Sequence, residues 1–347
     1  MPPSKNKNTK TNKAAETAEN KVVAENENQE VEQTASADLE EKKEVVSEPT
    51  TTETKKEDEE KDPKNNESTK EADAPIEDDF TARIIVVTSG KGGVGKTTTA
   101  ASISTGLAAQ GHKTVVVDFD VGLRNLDLIM GCERRVVYDF INVLHGEANL
   151  NQALIKDKRT DNLYILAASQ TKDKDSLSYN GVGKVLKELS DMGFEYIICD
   201  SPAGIEAGAL IALYYADEAI VTTNPEISSV RDSDRILGIL YAKSRRAVQN
   251  KDSVVCKLLL TRYDVNRVTK EEMLSLNDVQ ELLRIPVLGV IPESKEVLKS
   301  SNDGAPVILN TKCDAGKAYQ DAVKRLLGEE VPLRFITEKS FFQKIFS

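Results

Sequence analysis

From residue 81 onward the chain alternates short, continuous apolar runs with longer stretches whose apolar residues recur every three or four positions. The runs lie at 84–88, 114–118, 163–166, 196–199, 219–223, 254–260 and 287–291, and Ile84-Ile85-Val86-Val87 is typical of them. A run that is apolar without alternation reads as a strand covered on both faces. The stretches at 98–110, 136–145, 183–192, 205–215, 229–243 and 315–327 carry helical spacing. Strand and helix in regular alternation predict an α/β fold, a doubly wound and mainly parallel sheet with right-handed crossovers. Ligands in such sheets bind beyond the carboxyl ends of the strands. The residues just after each apolar run are therefore the ones to inspect.

The first of these is Ser89-Gly90-Lys91-Gly92-Gly93-Val94-Gly95-Lys96-Thr97-Thr98, between the run at 84–88 and the helical stretch that follows. It fits G-x-x-x-x-G-K-[ST], with Gly90, Gly95, Lys96 and Thr97 at the fixed positions. The glycines let successive backbone N–H groups approach phosphate oxygens, and the following helix points its positive end at the same anion. Lys96 puts a charge on the β- and γ-phosphates, and the Thr97 hydroxyl is a ligand for Mg²⁺. This predicts a P-loop NTPase, with residues Gly90, Lys91, Gly92, Gly93, Val94, Gly95, Lys96, Thr97 and Thr98 around the phosphates of ATP.

Two further motifs follow later strands: Asp118-Phe119-Asp120 and Asp200-Ser201-Pro202-Ala203-Gly204. A Mg·nucleotide site needs a carboxylate beyond an apolar strand to hold the metal, usually through water. Asp200, after Ile197-Ile198-Cys199, has that position. Asp118 or Asp120 could add a second metal contact or orient the attacking water.

Composition separates the ends from this core. The first 80 residues hold 12 Lys and 23 Asp or Glu, against 46 basic and 57 acidic residues in the chain, so the whole net charge of −11 lies there. They contain one aromatic residue, Phe80. A stretch so polar cannot bury enough apolar surface to offset its chain entropy, and residues 1–80 are expected to be a disordered acidic tail. It lacks the apolar stretch of a signal peptide and is too acidic for a transit peptide. The domain proper is expected at 81–330, with 34 basic and 34 acidic residues in 81–347. Cys132, Cys199, Cys256 and Cys313 are too far apart for a C-x-x-C site and read as free thiols of a reducing compartment. No apolar run approaches the length of a membrane span.

The last stretch, 331–347, includes Ser340-Phe341-Phe342-Gln343-Lys344-Ile345-Phe346. At helical pitch Phe341, Phe342, Ile345 and Phe346 fall within an arc of about 140°. With Lys339 and Lys344 beside it, this predicts an amphipathic helix suited to a membrane surface.

The chain resembles the MinD family of bacterial septum-site-determining ATPases. The resemblance rests on Lys91-Gly92-Gly93-Val94-Gly95-Lys96-Thr97-Thr98, on the run from Gly122-Leu123-Arg124-Asn125-Leu126-Asp127 through Tyr138-Asp139, and on Cys199-Asp200-Ser201-Pro202-Ala203-Gly204-Ile205-Glu206. It rests also on Thr222-Thr223-Asn224-Pro225-Glu226 and Ser229-Val230-Arg231-Asp232-Ser233-Asp234-Arg235. It covers about residues 81–347 and says nothing of the tail. It implies that Lys91 acts on the phosphates of a partner subunit in an ATP-dependent homodimer. It further implies that Thr97 ligates Mg²⁺ with Asp118 and Asp200 in support, that Asp120 orients the attacking water and that Asn224 contacts adenine. No residue looks like a fast general base, so a slow ATPase stimulated by a partner is expected. The implied partners are a division inhibitor, MinC, an activator, MinE, and the anionic inner face of the cell membrane, for a protein otherwise cytoplasmic. A DNA- or plasmid-partition ATPase of the same class is the other reading. The balanced charge of 81–347 and the phenylalanine-rich end weigh against nucleic acid as a partner.

Overall fold

A computed structural model describes residues 80–170 and 177–337. Eight strands form one sheet in the order β3-β4-β2-β5-β1-β6-β7-β8. They are β1 (Arg83–Thr88), β2 (Thr114–Asp118), β3 (Ile155–Lys156), β4 (Leu163–Leu166), β5 (Tyr196–Asp200), β6 (Glu218–Thr223), β7 (Val255–Tyr263) and β8 (Val287–Pro292). All neighbours are parallel except β3 with β4. The chain starts at the centre with β1, winds out through β2 and β4 on one side, returns to β5, and leaves by β6, β7 and β8. Each of the seven predicted strands is present within two or three residues at its ends.

The helices are α1 (Lys96–Ala109), α2 (Leu126–Ile129), α3 (Phe140–Leu144), α4 (Leu150–Ala153), α5 (Tyr179–Asp191), α6 (Ala207–Tyr215), α7 (Ile227–Lys243), α8 (Arg245–Val248), α9 (Val265–Thr269), α10 (Leu276–Leu283), α11 (Lys295–Asn302) and α12 (Asp314–Leu326). They bury two cores, one on each face of the sheet. One holds Leu186 of α5, Ala212 of α6, Leu240 of α7 and Val279 of α10. The other holds Ile103 and Leu107 of α1, Leu126 of α2 and Ala322 of α12. Strands β2 and β5 are buried at every position, which is why they read as unbroken apolar runs.

The helix predicted at 136–145 is shorter than expected. Asp139 forms a capping box with Asn142, and its extended backbone starts α3 at Phe140. Ahead of it, Glu133–Arg135 is a single 3₁₀ turn. Helices α2, α4, α8, α9, α10 and α11 and the edge strand β3 were not anticipated. Among the described residues no helix is long and apolar enough to cross a membrane. Phe341, Phe342, Ile345 and Phe346 lie outside the described residues, as do residues 1–79.

The first and last described residues are tied to the domain. Phe80 meets Tyr215 edge-on and lies under the Arg245 guanidinium, and Thr81 bonds Ser190. At the other end Arg325 donates to the carbonyls of Val331 and Pro332, Arg334 pairs with Asp321, and Leu333 and Ile336 pack on the core.

Candidate functional site

The loop 89–95 leaves the buried end of β1 and turns into α1. Gly95 stands at φ +97°, a left-handed conformation that favours glycine, and is the N-cap of α1. Nothing blocks that helix start: no side chain caps it and no acidic residue sits in its first turn. Its first N–H groups and its dipole are thus available to an anion in the cleft.

Two contacts fix the loop from behind. Val94 is buried, and its carbonyl accepts the Thr261 hydroxyl of β7 at 2.7 Å. Gly90 lies so close to α7 that a Cβ there would be 2.3 Å from the Asp232 carbonyl carbon and oxygen. Inside the loop, Ser89 Oγ donates to Lys91 O at 2.7 Å and accepts from Lys96 Nζ at 3.1 Å. Lys96 is buried. Desolvation lowers its pKa, against the raising charges of Asp200 and Asp120.

Asp118 and Asp200 end the neighbouring strands β2 and β5, directly in register. Both are 1% exposed. The Asp118 oxygens accept from the backbone N–H groups of Asp120 at 2.9 Å and Leu126 at 3.4 Å, so this carboxylate holds the loop after β2. Asp200 meets the Thr97 side chain, while its Oδ1 has no hydrogen-bond partner. Burial pushes both carboxyls upward, and each feels another acid: Asp200 acts on Asp118, and Asp120 on Asp200. Asp120 lines the cleft.

This donor set suits Mg²⁺. Buried like charges, an unsatisfied carboxylate oxygen and an adjacent hydroxyl call for a cation. Among the described residues no group of three or more His, Cys, Asp or Glu forms a complete cage. The two buried carboxylates suit Mg²⁺, which takes one or two carboxylates and completes its shell with waters and phosphates.

The cleft over the loop encloses about 670 Å³, with Lys96, Thr97, Asp120, Leu128, Arg262 and Asn302 among its walls. A recess of about 370 Å³ adjoins it through Gly95, Thr98, Arg262 and Ser301, and is lined further by Thr261, Pro292 and Tyr319. Asn224 sits one layer behind, buried, with its side-chain amide 2.9 Å from Thr261 Oγ1.

Lys91 stands apart from the phosphate cradle. Its Nζ bonds Glu226 Oε2 at 2.9 Å and Ser228 Oγ at 3.4 Å, at the start of α7, and the pair is roughly half exposed. Sequence reasoning missed Glu226 and Ser228 as its partners. It also missed Arg262, which borders both cavities with φ +53° where the pairing of β7 with β8 is irregular.

The CobQ/CobB/MinD/ParA nucleotide binding domain model matches residues 85–307. The septum site-determining protein MinD of Escherichia coli is 68% identical over 267 residues, 76% of this chain and 99% of that protein. MinD in the Aquifex aeolicus MinC:MinD cell division protein complex superposes with a TM-score of 0.65 at 40% identity, covering 74% of this chain and 100% of that one. The Pyrococcus horikoshii MinD complexed with Mg-ADP gives a TM-score of 0.62 at 29% identity, over 71% of this chain and 96% of that one. With this loop, this pair of buried aspartates and these relatives, the chain belongs to the MinD family of septum site-determining ATPases and uses ATP and Mg²⁺.

Proposed function

We propose that this ATPase helps place the division site by forming an ATP-dependent dimer on the inner membrane surface, where it recruits the inhibitor MinC and is released by MinE-stimulated hydrolysis. The observation that supports it most is Lys91. It begins the phosphate loop yet points out of its own cradle, held by the partly exposed Glu226 just ahead of α7 and by Ser228 in its first turn. An exposed ion pair of this kind contributes less than about 1 kcal/mol. The phosphates of a second subunit's nucleotide offer Lys91 a stronger, better desolvated partner. The MinC:MinD complex of Aquifex aeolicus supports MinC as a partner of this chain.

Within one subunit, the residues divide the work as follows. The N–H groups of the loop and the start of α1 cradle the phosphates, and Lys96 neutralises charge on the γ-phosphoryl group as it transfers. Thr97 and Asp200 would hold Mg²⁺, with Asp118 behind them, and the bound ion would supply Lewis-acid chemistry there. Asp120, set by the Asp118 contact to its backbone, orients the attacking water.

Of segment 331–347, the part carrying Phe341, Phe342, Ile345 and Phe346 would serve as the anchor, since 331–336 is held on the ATPase domain. Full burial of four such side chains gives at most about 6–12 kcal/mol. Ordering a short helix removes much of that. One copy binds weakly and reversibly, and two copies in a dimer gain by avidity. Co-sedimentation with anionic liposomes tests this. Wild type should pellet with ATP and stay soluble with ADP, while Lys91→Ala and the double variant Phe341→Glu/Ile345→Glu should stay soluble with both. A Lys91→Ala protein that pellets as the parent does would remove the dimer from the switch. Pelleting by the double variant would remove the terminal segment as anchor.

The domain organisation is proposed as a tail, an ATPase domain and a terminal membrane segment, as the sequence reads. Because Phe80 packs on Tyr215 and Arg245, a chain trimmed for testing should begin at Phe80. It should bind Mg·ADP within about twofold of the full chain, since substitutions and losses remote from a site usually leave it within ±0.5 kcal/mol. Calorimetry showing a tenfold loss would make the acidic tail part of the nucleotide site.

A further inference from the structure

The cleft has two walls that come from distant parts of the chain. Asn125, Leu128 and Ile129, in and beside α2, form one; Ser301 and Asn302, at the end of α11, form the other. Neither wall belongs to the sheet. Helix α2 is a single turn anchored by the buried Leu126, and α11 reaches the same core only through the partly buried Val297 near its start. The far ends of both helices, which face the cleft, need a further tie.

The chain just past each helix supplies it. Gly131 and Gly304 meet backbone to backbone. A Cβ on Gly131 would stand 2.4 Å from Gly304 O, and one on Gly304 would stand 2.8 Å from the Gly131 Cα. Both have positive φ, +64° and +63°. One guanidinium fastens the junction. Arg159 Nη2 donates to Met130 O at 2.7 Å, and its Nη1 donates to Gly304 O at 2.9 Å. Arg159 is itself aimed by Asp157, which accepts from Nη2 at 2.6 Å and from Nε at 3.1 Å. The Asp157 side chain is only 2% exposed and also accepts the Arg159 backbone N–H. The fork is thus held rigid before it reaches either carbonyl.

We propose that Arg159, oriented by Asp157, is a positioning residue that fixes the width of the nucleotide cleft by tying the end of α2 to the end of α11. The proposal rests on the reading of this cleft as the nucleotide site. It separates binding from chemistry. Asp120 takes its position from Asp118 at the end of β2, and Lys96 from Ser89 and α1; Asp118 touches α2 only at its start, through the Leu126 N–H, at the end away from the junction. Loosening the walls therefore removes preorganisation for the nucleotide and leaves the hydrolytic groups where they are.

Arg159→Ala and Arg159→Lys test this, with Mg·ADP affinity by calorimetry and with KM and kcat for Mg·ATP. If only about a tenth of the molecules then hold the walls at binding distance, Kd and KM rise about tenfold. The value of kcat stays within about threefold, because the reacting groups keep their own anchors. Lysine should not restore affinity, since a compact ammonium cannot span two carbonyls while held by a bidentate carboxylate. An Arg159→Ala protein with lowered thermal stability but parental Kd would make the contact merely structural and overturn the proposal. A kcat that falls with the affinity would overturn it too. If Arg159→Ala does not fold, Arg159→Lys and Gly304→Ala give the same readouts, the latter by forcing a Cβ into Gly131. Lys96→Ala is the control for the underlying reading. If it binds Mg·ADP as the parent does, the cleft is not the nucleotide site. If it fails to bind while the Arg159 variants match the parent, the positioning role alone falls.

Discussion

Lys96→Ala should lower phosphate release from ATP by about 10³-fold, the cost of removing a preorganised cationic donor from the transferring phosphoryl group. At 1.36 kcal/mol per decade this is about 4 kcal/mol of transition-state stabilisation. The figure is large because Lys96 is desolvated: it is 8% exposed, and burial already lowers its pKa. A buried ammonium interacts with phosphate far more strongly than one in water. Its loss also changes the aspartates around it. Lys96 draws the Asp200 carboxyl down against the raising effects of burial and Asp120. Without Lys96 that carboxyl rises further and holds its proton to higher pH, so its readiness to take a metal falls as well. Lys96→Arg should not rescue, because a planar fork cannot replace a point donor seated on Ser89 Oγ. Phosphate release by Lys96→Ala within tenfold of the parent would contradict the assignment.

Much of this site was legible because its chemistry is local. Loop, lysine and threonine are consecutive in sequence, and Asp118 and Asp200 each follow an apolar run that can only be a buried strand. The sheet was legible for the same reason: strands buried on both faces carry their burial in their own residues. What failed was whatever depends on distant neighbours. Strand β3 is two residues long and exists only because Ile155 and Lys156 lie beside Ile165 and Tyr164. Helix α11 reaches the core only through the partly buried Val297, too little to announce an apolar stripe. Helix α10 did carry a signal, the capping box of Ser275 with Asp278. Arg159, Glu226 and Arg262 look like ordinary surface charges in sequence. Their roles come from partners 135 residues away for Lys91 with Glu226, and 145 for Arg159 with Gly304. No local pattern encodes such pairs.

Gly90 shows the same division, and its substitution carries the second large effect. In the motif Gly90 reads as backbone freedom beside the phosphates. In the structure its main task is to let α7 in, since a Cβ would lie 2.3 Å from the Asp232 C and O atoms and 2.5 Å from its Cβ. Two of those atoms are backbone in the middle of a helix and cannot swing aside. Gly90→Ala must therefore push the loop or α7 away. Overpacking typically costs 1–3 kcal/mol, and the rigid neighbour puts this case near the upper end, at about 3 kcal/mol. For a domain of this size that corresponds to a drop in Tm of roughly 6–12 °C. Gly92→Ala is the matched control. It lies two residues along the same loop, nothing comes within 4 Å of its added Cβ, and its stability should stay within about 0.5 kcal/mol. The two variants remove the same kind of freedom from the chain, so a difference between them measures the helix contact alone. Nucleotide affinity should follow stability in this pair. The displaced helix begins at Ile227, immediately after Glu226, and the displaced loop carries Lys91, so the shift separates the ion pair at the cleft's rim as well. Equal melting temperatures for Gly90→Ala and Gly92→Ala would mean that α7 yields to the loop, and that Lys91 and Glu226 are not held in register by it.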